Sequence, residues 1–411
     1  MSRPHTDRGI RPIRILFVSP YVPSVIRVRP FQWIRSLARL GHRIHVVALR
    51  PPEDRWSSWH DLREVCDRID VFDLGRIQTL FNVATAVTTG WPLQVAYSKH
   101  GTAAGHVTKL AAAGGYDVVH VEHLRGVAMA EGVRGVPVVY DAVDSITSLF
   151  EQAATQAPRR SQRLTAKVDL ARTRRFEAGA PFRFARTLVT SEAEAQTFVR
   201  LSGEAARSRV AVLPNGVDLE YFRPAAGPSG IPRILLSGKM SYHANEAAAL
   251  WLVKEIMPLV WRRYPDATVV VAGKDPGAAI RALAGPRVRV TGFLEDLRAE
   301  LWPATVAVAP LRYGAGIQNK VLEAMACGLP VVSTTLVAQA LEDPARQCLA
   351  VADTTESIAE ALAEILRSPE KARAMGSRAR AYVERYHDWM AQAERLSQIY
   401  EELAGPASTA S

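Results

Sequence analysis

The chain of 411 residues is poor in cysteine and lacks two common ligand-binding signatures. Its three cysteines, Cys66, Cys327 and Cys348, show no paired spacing. This pattern excludes a disulfide framework and a cysteine metal site, and it predicts a reducing compartment. No Asp-x-Asp triplet occurs, so the sequence offers no such carboxylate pair to a divalent metal. No G-x-G-x-x-G follows the first predicted strand, which argues against a nicotinamide dehydrogenase.

Long apolar runs are also missing. The longest uncharged run, residues 324–341, contains Gly-Leu-Pro and several hydroxyl side chains, which predicts a helix, a turn and a strand instead of a membrane span. The apolar stretch at residues 15–18 is too short for the core of a signal peptide. A content of 48% hydrophobic and 22% charged residues is typical of a globular protein, and the length predicts two domains. We therefore expect a cytoplasmic, two-domain globular protein.

The most informative stretch is residues 310–334, PLRYGAGIQNKVLEAMACGLPVVST. A predicted strand at residues 304–310 is followed by Gly314 and Gly316, and a helix is predicted at about residues 317–327. The unpaired N–H groups and the positive end of this helix point into the same space. A diphosphate would be held well in that space.

Lys320 and Glu323 are three residues apart on the predicted helix and therefore share a face. The ammonium group suits phosphate oxygens, and the carboxylate suits the hydroxyls of a sugar diol. A Lys–Glu pair on the exposed face of a helix that binds nothing is the alternative, and these parts alone leave both interpretations open.

The whole segment resembles the C-terminal motif of retaining glycosyltransferases of family 4, also called group 1. Members of that family typically carry E-A-M-A-C/S-G-x-P-V-V, which here occupies residues 323–332. The resemblance implies the GT-B fold, an α/β architecture of two facing Rossmann-like domains with a cleft between them and a C-terminal helix crossing back. Relatives often have a second glutamate where this chain has Ala315, so we expect Lys320 and backbone N–H groups to serve in its place.

The resemblance extends along most of the chain, through residues 13–49, 116–123, 212–218 and 234–240. It implies an acceptor-binding domain at residues 1–215 and a nucleotide-sugar-binding domain at residues 216–387. Residues 388–411 would form the helix that returns to the first domain, with a frayed tail.

The implied function is transfer of a sugar from a nucleotide-diphosphate donor to an acceptor hydroxyl with retention, in cell-surface polysaccharide or glycolipid synthesis. The nucleotide sugar would be a substrate, so no cofactor and no metal are expected. Two alternatives stay open. One is a sugar-nucleotide epimerase of the same architecture, and the other is a sugar-nucleotide-binding subunit that has lost turnover, as Ala315 suggests.

On the donor side, Lys239 and Lys320 are the candidates for stabilising the departing phosphate. The full set of donor-binding residues implied by the resemblance is Gly238, Lys239, Asn245, Gly292, Phe293, Gly314, Ala315, Gly316, Ile317, Lys320 and Glu323.

On the acceptor side, the candidates for catalysis are Glu122, His123 and His120, at the end of the predicted strand in YDVVHVEH. Relatives commonly have a functional histidine at the position of Glu122, which can orient a hydroxyl in the same way. A lone histidine at a strand end is more often structural, and that alternative applies to both histidines. Relatives also have two glycines near residues 24–27, where this chain offers Arg27 and Arg29 to a phosphate.

The excess of positive over negative charge lies in the first half of the chain. Residues 1–215 contain 30 basic and 19 acidic residues, a net charge of +11, whereas the whole chain has +10. This excess predicts an anionic saccharide or lipid-linked acceptor, or peripheral contact with the anionic inner face of the plasma membrane. A solvated, charged helix is the alternative. The basic residues are not interleaved with an aromatic platform, so nucleic acid is not expected as a partner.

Overall fold

The computed structural model describes residues 11–24, 27–52, 60–156, 160–225, 230–314, 316–341 and 343–405. The chain forms two compact units. The first comprises residues 1–147, 168–214 and 389–411, and the second comprises residues 148–167 and 215–388. The sequence placed residues 148–167 with the first domain, whereas their internal contacts assign them to the second unit.

The first unit contains a seven-stranded parallel sheet in the order β3-β2-β1-β4-β5-β6-β7. Its strands are β1 (Arg14–Ser19), β2 (Arg43–Arg50), β3 (Arg68–Asp73), β4 (Val118–Glu122), β5 (Val138–Val143), β6 (Arg186–Val189) and β7 (Val210–Val212). Among the described residues up to position 202, the α-helices are α1 (Val28–Arg39), α2 (His60–Arg63), α3 (Arg76–Thr89), α4 (Leu93–Tyr97), α5 (Gly101–Ala112), α6 (His123–Gly126), α7 (Ile146–Gln156), α8 (Arg160–Arg183) and α9 (Glu192–Ser202).

The strand order of this sheet creates one topological switch point. Strand β1 pairs with β2 on one side and with β4 on the other, and the chain reverses its direction of winding there. Strands β1 and β4 contain the apolar runs ILFV and VVHV and are buried almost throughout. Such runs are typical of parallel strands that are covered by helices on both faces of the sheet. Ligands of open parallel sheets bind outside the carboxyl ends of such strands.

The second unit contains a six-stranded parallel sheet in the order β10-β9-β8-β11-β12-β13. Its strands are β8 (Arg233–Ser237), β9 (Thr268–Ala272), β10 (Val288–Gly292), β11 (Val306–Ala309), β12 (Val331–Ser333) and β13 (Ala350–Val351). Its helices are α10 (His243–Trp251), α11 (Met257–Arg263), α12 (Ala278–Arg281), α13 (Arg298–Leu301), α14 (Asn319–Ala326), α15 (Thr335–Ala338), α16 (Thr355–Arg367) and α17 (Pro369–Tyr386). The switch point of this sheet lies between β8 and β11.

The final helix, α18 (Trp389–Ala404), packs within the first unit against α1. Trp389 meets Trp33 edge to face with ring centroids 5.0 Å apart. Further along, the Ser397 hydroxyl lies 2.9 Å from the imidazole of His42. The two parallel-sheet α/β domains and the terminal helix predicted from the sequence are confirmed.

Some predicted elements differ in detail. Helices α10 and α11 are separated by a π-helical turn, Leu252–Ile256, instead of forming one helix. Pro258 follows that turn and has no N–H to bond the carbonyl four residues earlier, which explains the interruption. Residues 75–106, where the sequence has no clear pattern, fold into α3, α4 and the start of α5. Among the described helices, none combines the length and the apolar character needed to cross a bilayer.

Candidate functional site

The clearest constellation in the second unit lies at the carboxyl end of β8, at the switch point of the sheet. Gly238 follows this strand with a φ of +143°, a value that favours glycine. A Cβ atom at this position would lie 2.8 Å from the amide nitrogen of Asn245 and 3.4 Å from Nζ of Lys320. The absence of a side chain at Gly238 therefore allows the polar groups of Asn245 and Lys320 to meet against the backbone.

Asn245 orients Lys320. The Asn245 amide nitrogen donates to the carbonyl oxygen of Lys239 at 2.9 Å, and its amide oxygen accepts a hydrogen bond from Nζ of Lys320. Burial lowers the pKa of Lys320 to about 8, although Glu323 opposes this shift. The side chain is thus still largely charged at neutral pH but incompletely solvated, so an anion placed here would be strongly favoured.

Glu323 lies one turn after Lys320 on α14, and both side chains are half-buried. Burial raises the pKa of Glu323 to about 7, and Lys320 opposes this shift. The two groups therefore stabilise each other's charged form in a poorly solvated place, which is typical of functional sites. The predicted adjacency of Lys320 and Glu323 on one helix is observed.

The glycine-rich loop before α14 differs from the predicted one in where the helix starts and in what the Gly314 N–H contacts. Gly316 has a φ of +65°, and α14 begins at Asn319 instead of near Ile317. The N–H of Gly314, which we expected to face a phosphate, donates to the side-chain oxygen of Gln152 at 2.9 Å. Gln152 belongs to the second unit by its contacts, and no pattern in the sequence linked it to this loop. Ala315 lies outside the described residues.

Other predicted donor residues surround this point less closely. Lys239 is exposed, and Ile317 is buried. Gly292 ends β10 with a φ of +72°, and the side chain of the next residue, Phe293, is 59% exposed. An exposed aromatic ring after a strand end is available for stacking on a planar ligand.

Sequence reasoning missed two features of this region. A Cβ atom on Gly273 would lie 1.7 Å from the carbonyl oxygen of Gly238, so only glycine allows β9 to end beside β8. His243 stacks on Tyr313 with ring centroids 5.2 Å apart, and its Nδ1 lies 2.9 Å from the tyrosine hydroxyl. The signals in the sequence that could have predicted the pair of His243 and Tyr313 are the His-Ala-Asn at the start of α10 and the Tyr-Gly in the loop before α14.

A second polar constellation lies in the first unit at the carboxyl ends of β4 and β5. Glu122, the last residue of β4, is buried and accepts a hydrogen bond from the Tyr21 hydroxyl at 3.3 Å. Burial raises the pKa of Glu122 above its usual range and favours the protonated carboxyl. Its second oxygen and Nε2 of His120 have no hydrogen-bond partner among the described residues. Buried polar atoms of this kind need a functional or chemical explanation.

The two candidate histidines have different surroundings. His120 is fully buried, stacks on Phe17 with centroids 4.5 Å apart, and bonds the Tyr400 hydroxyl through Nδ1 at 2.7 Å. His123 has a φ of +60°, which is strained for a side chain of this size. Burial and the nearby cations Arg125 and Arg27 lower the pKa of His123 to about 3, so its ring is neutral.

Asp141 was not among the predicted site residues, yet it is the centre of this constellation. Its carboxylate accepts two hydrogen bonds from Arg29, at 2.9 and 3.0 Å, and one from the indole of Trp33 at 3.1 Å. Arg29 is therefore buried in an ion pair, where the sequence had suggested a phosphate as its partner. Arg27 lies differently, with its guanidinium 4.5 Å from the centroid of the Tyr21 ring.

Ligand atoms of His120, Glu122 and Asp141 all lie within 4.8 Å of one another, which raises the question of a metal ion. The carboxylate of Asp141 already forms an ion pair with the Arg29 guanidinium. Nε2 of His120 lies 3.8 Å from Oδ2 of the same carboxylate. A divalent ion would thus face a buried cation. The constellation is better suited to holding and moving a proton than to binding a metal.

Both halves of the chain match known families. Residues 31–221 match the family described as "Glycosyltransferase Family 4", and residues 231–368 match "Glycosyl transferases group 1". The phosphatidyl-myo-inositol mannosyltransferase of Mycobacterium tuberculosis is 30% identical over 217 residues, 49% of this chain and 56% of that protein. The D-inositol 3-phosphate glycosyltransferase of Saccharomonospora viridis is 28% identical over 255 residues, 53% of this chain and 55% of that protein. The matching part therefore spans about half the length of these relatives.

Solved structures show the same architecture at low sequence identity. HepE of Anabaena, in complex with UDP and glucose, has a TM-score of 0.68 at 14% identity, covering 95% of this chain and 100% of that one. Sucrose-phosphate synthase of Thermosynechococcus elongatus has a TM-score of 0.68 at 20% identity, covering 96% and 99%. Taken with the two Rossmann-like sheets and the family matches along residues 31–221 and 231–368, they show that the chain belongs to the family 4-like, group 1 glycosyltransferases with the GT-B fold.

Proposed function

We propose that this chain transfers a sugar, with retention, from a nucleotide-diphosphate donor to a hydroxyl of a saccharide or lipid-linked acceptor. The biosynthetic context would be a cell-surface polysaccharide or a glycolipid. The observation that carries the proposal is the meeting of Lys320 and Asn245 against Gly238, at the switch point of the second sheet.

In the donor complex, Lys320 would contact the diphosphate. Its pKa of about 8 indicates an ammonium group that burial has deprived of water, and phosphate oxygens would replace that lost solvation. Glu323 would accept hydrogen bonds from the two ribose hydroxyls. Lys239, which follows Gly238 and is exposed, would supply a second positive charge.

In the transfer step, the bond between the anomeric carbon and the diphosphate oxygen breaks, and a bond from that carbon to the acceptor oxygen forms on the same face. The acceptor proton passes to the leaving diphosphate, so no protein nucleophile is required. The protein must stabilise the charge of the leaving group and orient the acceptor. We assign the first task to Lys320 and Lys239, and the second to Glu122 with His123.

An anionic, lipid-linked acceptor is the version of the proposal with the most support. The matched relatives are named for inositol-containing, phosphorylated acceptors, and residues 1–215 have a net charge of +11. Helix α3 also exposes Ile77, Leu80 and Phe81, at 85, 73 and 67% of their surface, at the spacing of one helix face. Such a face, beside the exposed Arg76, suits peripheral contact with an anionic membrane at its inner surface.

The direct test is to incubate the purified full chain with a panel of UDP- and GDP-sugars and vesicles containing phosphatidylinositol. Product is detected by mass spectrometry, and its anomeric configuration is determined by NMR. Acceptor-dependent product with the donor's configuration supports the proposal. Interconversion of the donor without an acceptor would identify an epimerase, and binding without turnover would identify a sugar-nucleotide-binding subunit.

Transfer should not need a metal ion, because Lys320, Lys239 and the start of α14 supply positive charge for the leaving group. We expect the rate in excess EDTA to stay within about twofold of the untreated rate. Loss of an electrostatic contact with the leaving group would instead lower the rate by about 100-fold. The measurement is initial rate with and without EDTA. Loss of activity that magnesium restores would refute metal-independent transfer.

Glu323→Gln tests the ribose assignment while it preserves side-chain shape. Loss of a charge-assisted hydrogen bond should weaken UDP or GDP by about 10- to 100-fold, or about 1.5–3 kcal/mol, measured by calorimetry. The unfolding free energy should not fall, because burial disfavours the charge that is removed.

The matched ligand for this test is the 2′,3′-dideoxy form of the same nucleoside diphosphate. It should bind wild type and Glu323→Gln almost equally, since neither ribose hydroxyl is present. Equal losses for both ligands, or a loss of stability without ligand, would make Glu323 a structural residue.

Nucleoside diphosphate binding should be strongest between about pH 7 and about pH 8. Below that window Glu323, with its pKa of about 7, takes up a proton and becomes a weaker acceptor. Above it Lys320, with its pKa of about 8, loses its charge. Calorimetry from about pH 6 to about pH 9 should show both limbs, with affinity falling up to about tenfold per pH unit. Persistence of the alkaline limb in Lys320→Met would assign that limb to another group.

A further inference from the structure

A compact cluster of two histidines and one aspartate lies in the first unit, away from the residues assigned above. Nε2 of His45 is 2.9 Å from Oδ2 of Asp70, and Nε2 of His106 is 2.7 Å from the same oxygen. The three side chains come from β2, β3 and α5. His45 and Asp70 are each the third residue of their strand, so the cluster is near the amino ends of the strands, opposite the edge that holds Glu122.

We propose that His45, Asp70 and His106 bind one Zn²⁺ ion, a site that goes beyond the proposed sugar transfer. One nitrogen or oxygen from each residue lies within 4.8 Å of the others, close enough for a single ion to contact all three. Two imidazoles and one carboxylate are a ligand set that Zn²⁺ favours, and a water molecule completes a tetrahedron. The side chains are 6, 19 and 29% exposed in the order His45, Asp70, His106, which leaves an entry path on the His106 side.

Neighbouring residues support the ligands as outer-shell groups do at metal sites. The Tyr116 hydroxyl lies 2.5 Å from Nδ1 of His45, on the ring atom that faces away from the cluster. Arg68 donates to Oδ1 of Asp70 at 3.1 Å and leaves Oδ2 for the ion. Hydrogen bonds of this kind fix the orientation of a ligating ring and carboxylate.

Without metal, both histidines would donate from Nε2–H to Asp70, and Tyr116 would donate to His45. Binding requires a tautomer change in both rings: the Nε2 protons of His45 and His106 move to Nδ1, the Nδ1–H of His45 donates to the Tyr116 oxygen, and both Nε2 atoms become available to zinc. The ion must separate Nε2 and Oδ2 from their hydrogen-bonding distances of 2.9 and 2.7 Å, because two ligand atoms that are each about 2 Å from a tetrahedral zinc lie about 3.3 Å apart.

The test uses the full chain with any histidine tag removed. Zinc affinity is measured by competition with a chromophoric chelator, and cobalt serves as a visible reporter of coordination by nitrogen and oxygen. Wild type should bind one equivalent. His106→Gln, at the exposed ligand, should bind at least about 100-fold more weakly, and Tyr116→Phe about 10- to 100-fold more weakly.

His100→Asn is the matched control. This histidine precedes α5 and accepts from the N–H of Ala103, a capping role that asparagine can keep. Zinc affinity should be unchanged in this variant. A folded wild-type chain without a specific zinc equivalent, or His106→Gln with wild-type affinity, would show that the cluster is only a hydrogen-bonded one. Sugar transfer is assayed separately, so failure of either proposal leaves the other intact.

Discussion

Replacement of Lys320 by methionine is expected to lower kcat/KM for sugar transfer by about 100- to 1,000-fold, the usual effect of removing one charge-stabilising group. Methionine keeps the unbranched apolar stem but removes the ammonium group that Asn245 orients. Because charge on the leaving diphosphate increases in the transition state, most of the loss should be in kcat. The measurement is steady-state kinetics with a saturating acceptor.

Stability separates a functional role of Lys320 from a structural one. Burial lowers the pKa of Lys320, so its charge is disfavoured in the free protein, and Lys320→Met should unfold at an equal or higher denaturant concentration. Lys254→Met is the control, since Lys254 is exposed in the same unit and should retain wild-type kinetics. A Lys320→Met protein that transfers sugar normally but unfolds more easily would show that this lysine serves the fold.

The fold could be predicted from the sequence because its elements are strongly patterned. Buried parallel strands such as β1 and β4 appear as short apolar runs, and the run Glu323 to Val332 identifies the family. The glycine at 238 and the lysine at 320 were likewise predicted as neighbours of one ligand, and the structure brings them together. Local periodicity and motif spacing contain this information.

The rest depends on pairs of residues that are distant in sequence. The N–H of Gly314 is bonded by Gln152, 162 residues away, and Asp141 is bonded by Arg29, 112 residues away. No local pattern specifies such partners, because each residue alone fits a solvated surface equally well. For the same reason, sequence reasoning assigned a phosphate as the partner of Arg29, whereas its partner in the buried part of α1 is the carboxylate of Asp141.

The ion pair of Arg29 and Asp141 lies beside Glu122, the residue assigned to the acceptor side. Asp141 is paired in register with Glu122 across β4 and β5, and it contributes to the raised pKa of Glu122. Burial is the largest cause of that raised pKa, and the charge of Arg29 opposes it, so Arg29 favours the ionised form of Glu122. In this view Arg29 positions and tunes the acceptor-side group without touching the substrate.

Arg29→Met should consequently destabilise the protein by about 3–5 kcal/mol, because it leaves the carboxylate of Asp141 buried without its cation. The measurement is urea unfolding, with Arg39→Met on the exposed end of α1 as the control, for which less than about 1 kcal/mol is expected.

A double variant distinguishes the ion pair from a phosphate-binding role. Asp141→Asn retains one acceptor oxygen, so it can serve either the Trp33 indole or the N–H of Val143, and in Arg29→Met/Asp141→Asn neither buried charge remains. Its loss of stability should be smaller than the sum of the two single losses by about 1–3 kcal/mol. Additive losses would show that the two side chains are not coupled. An Arg29→Met protein with wild-type stability and a raised KM for the acceptor would instead support the phosphate contact that the sequence suggested.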